Sequence, residues 1–408
     1  MNLQKRVFIF LVLGTLPAHT RADDPAVNPA TLVARAVKEL IPLQETDGDW
    51  PYEGVYRVGG EIPIGYRIGG TALVSQALLY GSPQTDKKVT AAIERGLDFL
   101  FVALADARMT PSTRDAYDVR VWGQCCALEY LCRLRAAQRW FDRREKVDSW
   151  IPKLTAALIE EELSGGGWNY ASRRAHAPFV TAPVVQALLW AKAQGETVPD
   201  EVLDRARDVL LASRTNDGGF TYSNVLTSET APNSRARVPG SIGRAPLCET
   251  TLVLLGAGSP EAVVGALNAF HTHWDELEKR RRQHGTHAPP YGIAPYYFFF
   301  AHRYAGQAIA FSPKSQQSRQ RERLLELLLR TRDDDGTWND RVFPRSRNFG
   351  TAMAIMALLG DRIPPPPRFG EENPGGRLHP GIAIPGPGGS LKIFQESAGG
   401  ESQTSTEE

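Results

Sequence analysis

Asp335-Gly336-Thr337-Trp338, then a loop, then Phe349-Gly350-Thr351-Ala352-Met353-Ala354-Ile355-Met356-Ala357-Leu358-Leu359, decides the fold. The second part is apolar on every face of a helix, which requires protein on all sides, so Thr351 to Leu359 reads as an inner helix. The segment before the stop differs. Over Arg321 to Leu329, Leu324, Leu325, Leu327, Leu328 and Leu329 alternate with Arg321, Glu322, Arg323 and Glu326, the pattern of an outer helix wet on one side.

This unit recurs, and a recurring unit outranks other fold signals. The stop returns as Asp47-Gly48-Asp49-Trp50, Gly165-Gly166-Gly167-Trp168 and Asp217-Gly218-Gly219-Phe220. Inner-helix copies begin near Thr71, Gln124, Thr181, Thr250, Arg303 and Thr351, with separations of 53, 57, 69, 53 and 48 residues. The second and fifth copies lack the glycine stop.

Between the copies, helical stripes alternate in kind. Outer stripes run from Leu32 to Ile41, Lys88 to Ala105, Val147 to Leu163, Asp200 to Ser213, Glu261 to Arg282 and Ser318 to Arg330. Inner ones cover Tyr66 to Tyr80, Val119 to Ala136, Pro183 to Ala193, Cys248 to Gly256, Phe298 to Phe311 and Thr351 to Leu359. Twelve helices in six pairs predict an all-α protein, an α6/α6 toroid with six inner helices ringed by six outer ones, because stacked hairpins bury their apolar faces on their neighbours. Outer-to-inner connections are long and inner-to-outer links are short. Long connections in a compact fold are usually functional, so function is expected on the long-loop side.

The 408 residues are 42% hydrophobic and 23% charged, ordinary for a globular core. The net charge of +1 points neither to nucleic acid nor to an acidic membrane surface. Residues 1–22 read as a secretory signal peptide: Lys5 and Arg6, the apolar run Val7 to Leu16, then Thr20-Arg21-Ala22. Cleavage near Ala22 would leave a secreted or periplasmic chain of net charge −2. That apolar run is too short to span a bilayer and no later one reaches about 18 residues, so no transmembrane segment is expected. Residues 23–363 form the toroid domain on this reading. Residues 364–408, opening on Pro364-Pro365-Pro366-Pro367, read as a disordered Pro/Gly-rich tail. Cys125, Cys126 and Cys132 share one helix and cannot pair with each other, which makes them buried small hydrophobes and leaves Cys248 alone.

Gln44-Glu45-Thr46-Asp47-Gly48-Asp49-Trp50 resembles the Gln-x-x-Asp-Gly-x-Trp repeat of squalene and terpene cyclases. The six hairpins resemble the toroid those enzymes share with protein prenyltransferase β subunits. The resemblance covers residues 28 to 360. It implies the fold; activity has to be argued from the site. Class II cyclases carry an Asp-x-Asp-Asp acid motif. The comparable acids here, Asp333-Asp334-Asp335, have the wrong spacing, and Asp335 aligns with Asp47 and Asp217 of the repeat turns, so they read as turn formers.

Prenyltransferase β subunits hold zinc with Asp-x-Cys on one inner helix and His on the next. Here Cys248 and His302 open the fourth and fifth inner helices, Pro246 stands where the Asp would fall, and Glu249 adjoins Cys248. The resemblance therefore implies Cys248, Glu249 and His302 as a catalytic and zinc-ligating set, since thiolate, carboxylate and imidazole suit an open zinc site. A buried Cys beside a hydrogen-bonded His is the competing reading. His284 and His287 have a metal-like spacing in a loop without paired cysteines, and Lys279 to Arg282 fits a solvated helix end.

If the inner helices are parallel, their positive N-terminal ends converge on the long-loop mouth. Arg67, Arg120, Arg174, Arg244 and Arg347 fall there, with Trp122 and Tyr304 on the aromatic wall, as do Tyr66, Tyr296, Tyr297 and Phe298. That set suits a small amphiphilic ligand with an acidic head. Three functions compete: a zinc-dependent transferase-like or cyclase-like enzyme at Cys248/Glu249/His302, a non-catalytic toroid binding a ligand or a protein partner, and a carbohydrate-active toroid using Asp115 and Asp118 with Glu53. Paired carboxyls would need to stand about 5–10 Å apart.

Overall fold

The repeat turn is built identically in four of the six units. Gly48, Gly166, Gly218 and Gly336 take φ of +94°, +88°, +86° and +91°. At Gly48 a Cβ would lie 2.6 Å from the Arg95 carbonyl oxygen on the next outer helix, so glycine is required twice over. In three units the aromatic after the turn is tryptophan, and it ties the hairpin together. Trp50, Trp168 and Trp338 donate their indole N–H to the carbonyls of Leu40, Leu158 and Leu328 on the outer helix, at 2.8, 2.7 and 2.8 Å. Their backbone N–H groups donate to the hydroxyls of Thr71, Thr181 and Thr351 on the inner helix, at 2.9, 3.0 and 3.0 Å.

The computed structural model describes residues 28–53, 61–110, 119–139, 141–170, 175–223 and 234–371. The leader read over 1–22, the tail beyond 371, Arg174, Asp115 and Asp118 lie outside them. The outer helices are α1 (Pro29–Leu40), α3 (Lys87–Ala103), α5 (Arg144–Glu160), α7 (Asp200–Ser213), α10 (Pro260–Thr272) and α13 (Lys314–Arg330). The inner helices are α2 (Ile64–Gly81), α4 (Arg120–Ala136), α6 (Pro178–Lys192), α9 (Ala245–Leu254), α12 (Tyr297–Ile309) and α14 (Ser346–Leu359). Two short helices, α8 (Val238–Ser241) and α11 (Trp274–Glu278), sit in the fourth and fifth long loops. The expected continuous helix from Glu261 to Arg282 is instead α10 and α11, broken at His273.

Each inner helix packs on the next, in the order α2, α4, α6, α9, α12, α14, and α14 returns to α2, closing the ring. Outer helices fill the grooves between them; α1, for example, lies against both α14 and α2. The two kinds of helix follow their sequences: every residue of α9 is buried, whereas α13 buries Gln320, Leu324 and Leu328. Among the described residues there is no strand, only two isolated bridges. The protein is an all-α toroid.

The lower part of the axis is closed by charge. Glu129 on α4 and Arg303 on α12, opposite members of the ring, form a 2.9 Å ion pair, and Arg133 joins the same carboxylate at 2.9 Å. Burial opposes ionisation of Glu129, but Arg303 and Arg133 outweigh it and hold the carboxyl at about 2. Beyond this layer the chain after α14 crosses the C-terminal end of the ring. The Pro364 carbonyl accepts from Arg133 (2.8 Å), and Phe369 N–H donates to the Leu254 carbonyl (2.8 Å). Residues 364–371, assigned by composition to the tail, thus pack on the ring at the end opposite the long loops.

Two outcomes are expected. Trp338→Phe removes the indole donor and leaves the Leu328 carbonyl only the 3.3 Å bonds from Thr331; chemical unfolding should show a loss of about 0.5–1.5 kcal/mol with helical circular dichroism unchanged. Glu129→Gln strips both arginines of their partner and should cost about 3–5 kcal/mol at pH 7. Because the Glu129 carboxyl is depressed from 4.5, its contribution is complete above pH 4.5 and fades as pH falls toward 2. The gap between the two proteins should close over that window.

Candidate ligand site

The residue two places after each turn aromatic falls in the long loops of the ring: Tyr52, Tyr170, Tyr222 and, in the sixth unit, Asp340. Two aromatic clusters grow from the tyrosines. In the first, Tyr52 stacks on Phe349 at 4.2 Å and meets Tyr66 edge-on at 5.5 Å, and Trp122 lies 5.4 Å from Tyr66. Trp122 reaches that place because Gly69 leaves room; a Cβ there would be 2.2 Å from the indole.

In the second cluster Phe179 is packed by Tyr170, Tyr222 and Tyr297 at 5.6, 5.2 and 5.5 Å. Its hydroxyls form a chain: Tyr170 to Tyr222 and Tyr222 to Tyr296, each 3.2 Å. His287 Nε2 stands 3.2 Å from the Tyr222 hydroxyl and 3.3 Å from that of Tyr296. Its Nδ1 faces the Gly292 carbonyl at 2.7 Å, which only an N–H can do, so Nε2 is the acceptor. Burial lowers the His287 imidazole and raises the Tyr170 and Tyr296 phenols, which favours their uncharged forms, while the Arg235 guanidinium lies 5.0 Å over the Tyr222 ring and gives the cluster a cation. It offers hydrogen bonds inside an aromatic wall.

Asp340 breaks the pattern. It is fully buried, and neither carboxyl oxygen has a hydrogen-bond partner. Its neighbours Asn339 and Arg341 line a groove of about 740 Å³, together with Arg282, Asp333, Asp335 and Arg347. Burial pushes the Asp340 carboxyl up to about 7, against the opposing pull of Arg341 and Arg281.

The residues expected from sequence to bind zinc or an acidic head have other employment. Cys248 is sealed in α9 with no exposed surface, and burial pushes its thiol up. The Glu249 carboxylate accepts from Arg214 at 2.5 Å. His302 accepts from the Trp274 indole at 2.9 Å through Nε2 and donates to the Phe298 carbonyl at 2.7 Å through Nδ1. Burial lowers its imidazole to about 3. Both ring nitrogens are spent and the thiol is held neutral, so this set does not fit a zinc ion. Nor do the described residues contain another group of three or more such ligands placed to hold a metal.

Among the described residues, Arg67, Arg120, Arg244 and Arg347 lie at the N-terminal ends of inner helices, and each has partners within the fold. Arg67 binds Asp47 and Asp49 at 2.8 and 2.7 Å. Arg347 binds Asp335 at 2.9 Å, and Arg120 binds Glu161 at 2.5 Å in a buried pair. Arg244, also buried, donates to the carbonyls of Thr221, Gly240, Phe220 and Arg235. In place of an anion-accepting mouth there are two buried arginines, Arg120 and Arg244, and two, Arg67 and Arg347, paired with turn aspartates nearer the surface. Of the predicted aromatics, Trp122 belongs to the first cluster, whereas Tyr304 lies deeper, 4.7 Å from Phe300 with Arg303 over its ring. Glu53, named for the carbohydrate reading, is buried.

No family model and no curated protein sequence matches the chain. Solved structures match it in shape. The α-1,6-mannanase GH76A of Salegentibacter sp. HEL1_6 aligns at a TM-score of 0.52 with 11% identity, covering 81% of this chain and 99% of that one. An inactive variant of that mannanase in complex with α-1,6-mannotetrose aligns equally well, at 0.52 and 12% identity over the same shares. The type II terpene cyclase MstE from Scytonema aligns at 0.49 with 14% identity, over 81% of this chain and 96% of its own. At such identities the likeness is one of fold, an α/α toroid.

Sequence reasoning named Tyr66, Trp122, Tyr296 and Tyr297 but passed over Tyr52, Tyr170, Tyr222 and Asp340. The signal was present in Trp50-Pro51-Tyr52, Trp168-Asn169-Tyr170, Phe220-Thr221-Tyr222 and Trp338-Asn339-Asp340, where one repeat position alternates between tyrosine and aspartate.

An acid raised from 3.8 to about 7 stays protonated in the folded state while the unfolded chain ionises. Stability is therefore expected to fall as pH rises through that window and to level off above it. Asp340→Asn should abolish this decline and, at pH 8, be more stable than the parent by on the order of a few kcal/mol in chemical unfolding.

Proposed function

We propose that the protein is a ligand-binding toroid whose long-loop end takes a neutral amphiphile, with an apolar, isoprenoid-like body and an uncharged polar head. The observation that supports this reading is the pairing of two aromatic clusters with an uncharged chain of hydroxyls and imidazole, while Arg67, Arg120, Arg244 and Arg347 are committed to the fold. Aromatic rings contribute large apolar area and Tyr hydroxyls fix a polar end, as small-molecule sites require. A diphosphate head would need several uncommitted cations; beside the second cluster Arg235, over the Tyr222 ring, is one, and Arg244 is already bound to carbonyls. The role is binding, because the thiol, carboxylate and imidazole expected to act chemically are each consumed by packing or hydrogen bonds. With the leader read at residues 1–22, the ligand is met outside the cytoplasm.

A carbohydrate reading has one specific observation in its favour, the polar groove beside Asp340, in a fold that in the mannanase variant holds mannotetrose. Hydrolysis by paired carboxyls would need a second acid within about 5–10 Å of Asp340. Asp333 and Asp335 of the same groove are bound to Arg282 and Arg347.

Calorimetric titration of the full chain with farnesol, farnesyl diphosphate and an α-1,6-manno-oligosaccharide separates the readings. Farnesol is expected to bind saturably and to raise the melting temperature, with Trp122→Ala weakening it about tenfold or more. A diphosphate bound more than about tenfold tighter than the alcohol restores the acidic head and overturns this proposal. Binding of the oligosaccharide alone overturns it in favour of the carbohydrate reading.

A further inference from the structure

The groove of about 740 Å³ beside the sixth repeat turn is a charged one, and none of its lining residues belongs to either aromatic cluster. Its charged lining is Arg282, Arg341 and Arg347 against Asp333, Asp334 and Asp335. Two pairs are already made: Arg282 binds Asp333, and Arg347 binds Asp335 at 2.9 Å. That leaves one cation and one anion, Arg341 and Asp334, whose side chains have no ion pair among the described residues.

The two differ in kind. Asp334 is exposed, where an unpaired carboxylate is ordinary. Arg341 is 3% exposed, yet its Nε has no hydrogen-bond partner and its Nη1 reaches the Gly285 carbonyl at a long 3.4 Å, the one side-chain hydrogen bond it makes among the described residues. A guanidinium has five N–H groups and keeps its charge at every physiological pH, so a buried one this short of acceptors is a cation that an anionic guest completes. The neighbouring Asp340 does not complete it, since neither of its oxygens accepts a hydrogen bond.

We propose that the groove is a subsite for a zwitterion of the short-peptide type, with its carboxylate held by Arg341 and its ammonium group by Asp334. A guest carrying an anion alone would face Asp334 beside the two paired acids, and one carrying a cation alone would leave Arg341 unmet. A carboxylate suits the guanidinium because its two oxygens can accept from neighbouring N–H groups at once. Val342 and Pro344 add apolar surface for a side chain, and the volume falls within the range of small-molecule pockets, roughly 300–1,000 Å³. The subsite stands apart from the aromatic clusters, so it goes beyond the amphiphile reading and does not depend on it.

The test is calorimetry on the full chain with trialanine, set against the same tripeptide N-acetylated and C-amidated, each of which loses one charge. Amidation is expected to weaken binding about tenfold or more, because the carboxylate meets a buried charge, and acetylation about two- to fivefold, the size expected of an exposed pair. Asp334→Asn should abolish the cost of acetylation and keep that of amidation, and Arg341→Gln should do the reverse. Equal binding of the three peptides by the parent, or binding of none, overturns the proposal, as does an acetylation cost that survives Asp334→Asn. Should Arg341→Gln fail to fold, the exposed Asp334→Asn variant still decides whether the peptide lies in this groove.

Discussion

Three of the six units depend on one hydrogen bond, from the indole N–H of a turn tryptophan to a carbonyl near the end of its outer helix. The last carbonyls of a helix lack a partner one turn further on, and the indole supplies a buried one; at Leu328 it adds to longer bonds of 3.3 Å from the Thr331 N–H and hydroxyl. The tryptophan meets that need with its N–H and fills the space between the two helices with its ring; Trp50, Trp168 and Trp338 have no exposed surface. The threonine hydroxyl that receives the tryptophan backbone N–H then fixes the inner helix against the same turn. Helix end, turn and inner helix become one rigid unit, and ring closure requires only that each unit meet the next at a constant angle.

Three units lack the indole at that place, and the substitutes in the fourth and fifth show why Arg244 and His302 read as functional in the sequence. In the fourth unit the aromatic is Phe220, which has no N–H to give. Arg244 takes over, donating to the carbonyls of Phe220 and Thr221 and so tying turn to inner helix. The fifth unit has no glycine turn, and Trp274 on α11 donates its indole to His302 of α12. Arg244 and His302, which resemblance and charge placed at a site, are the structural replacements for a missing clamp. A buried Arg or His reads as functional in a sequence because its partners there, backbone carbonyls and a distant indole, cannot be seen.

The fold itself was legible because it is local and periodic: glycine-aromatic stops, all-apolar inner stripes and amphipathic outer ones each state their burial in a few residues. The site was less so, for two physical reasons. Whether Arg67 or Arg347 is free depends on Asp47, Asp49 and Asp335 across the long loops, a matter of three-dimensional pairing that composition leaves open. The closure of the lower axis by Glu129 and Arg303 joins residues 174 apart on opposite helices, and nothing in either stretch names the other. By contrast, the position two after the turn aromatic was readable by laying the repeats against one another.

In a ring of near-equivalent units, departure from equivalence locates function better than any single residue type. Positions that follow the repeat are explained by it: the turn aspartates Asp47 and Asp335 bind arginines of the following inner helix, Asp217 binds Arg237 ahead of α8, and three of the four residues two after the turn aromatic are tyrosines set in aromatic packing. Asp340 replaces a tyrosine at the fourth such position. The exchange brings a carboxyl that is fully buried and unpartnered, a loss of stability for which the fold itself receives nothing. A local rule broken at a cost, without a compensating contact inside the protein, is the expected mark of a residue kept for something outside it. The sulfur and imidazole of Cys248 and His302 break no rule, since one is simple packing and the other a completed hydrogen-bond pair. That contrast is why the search for function moves from the fourth and fifth inner helices to the loop that precedes the sixth.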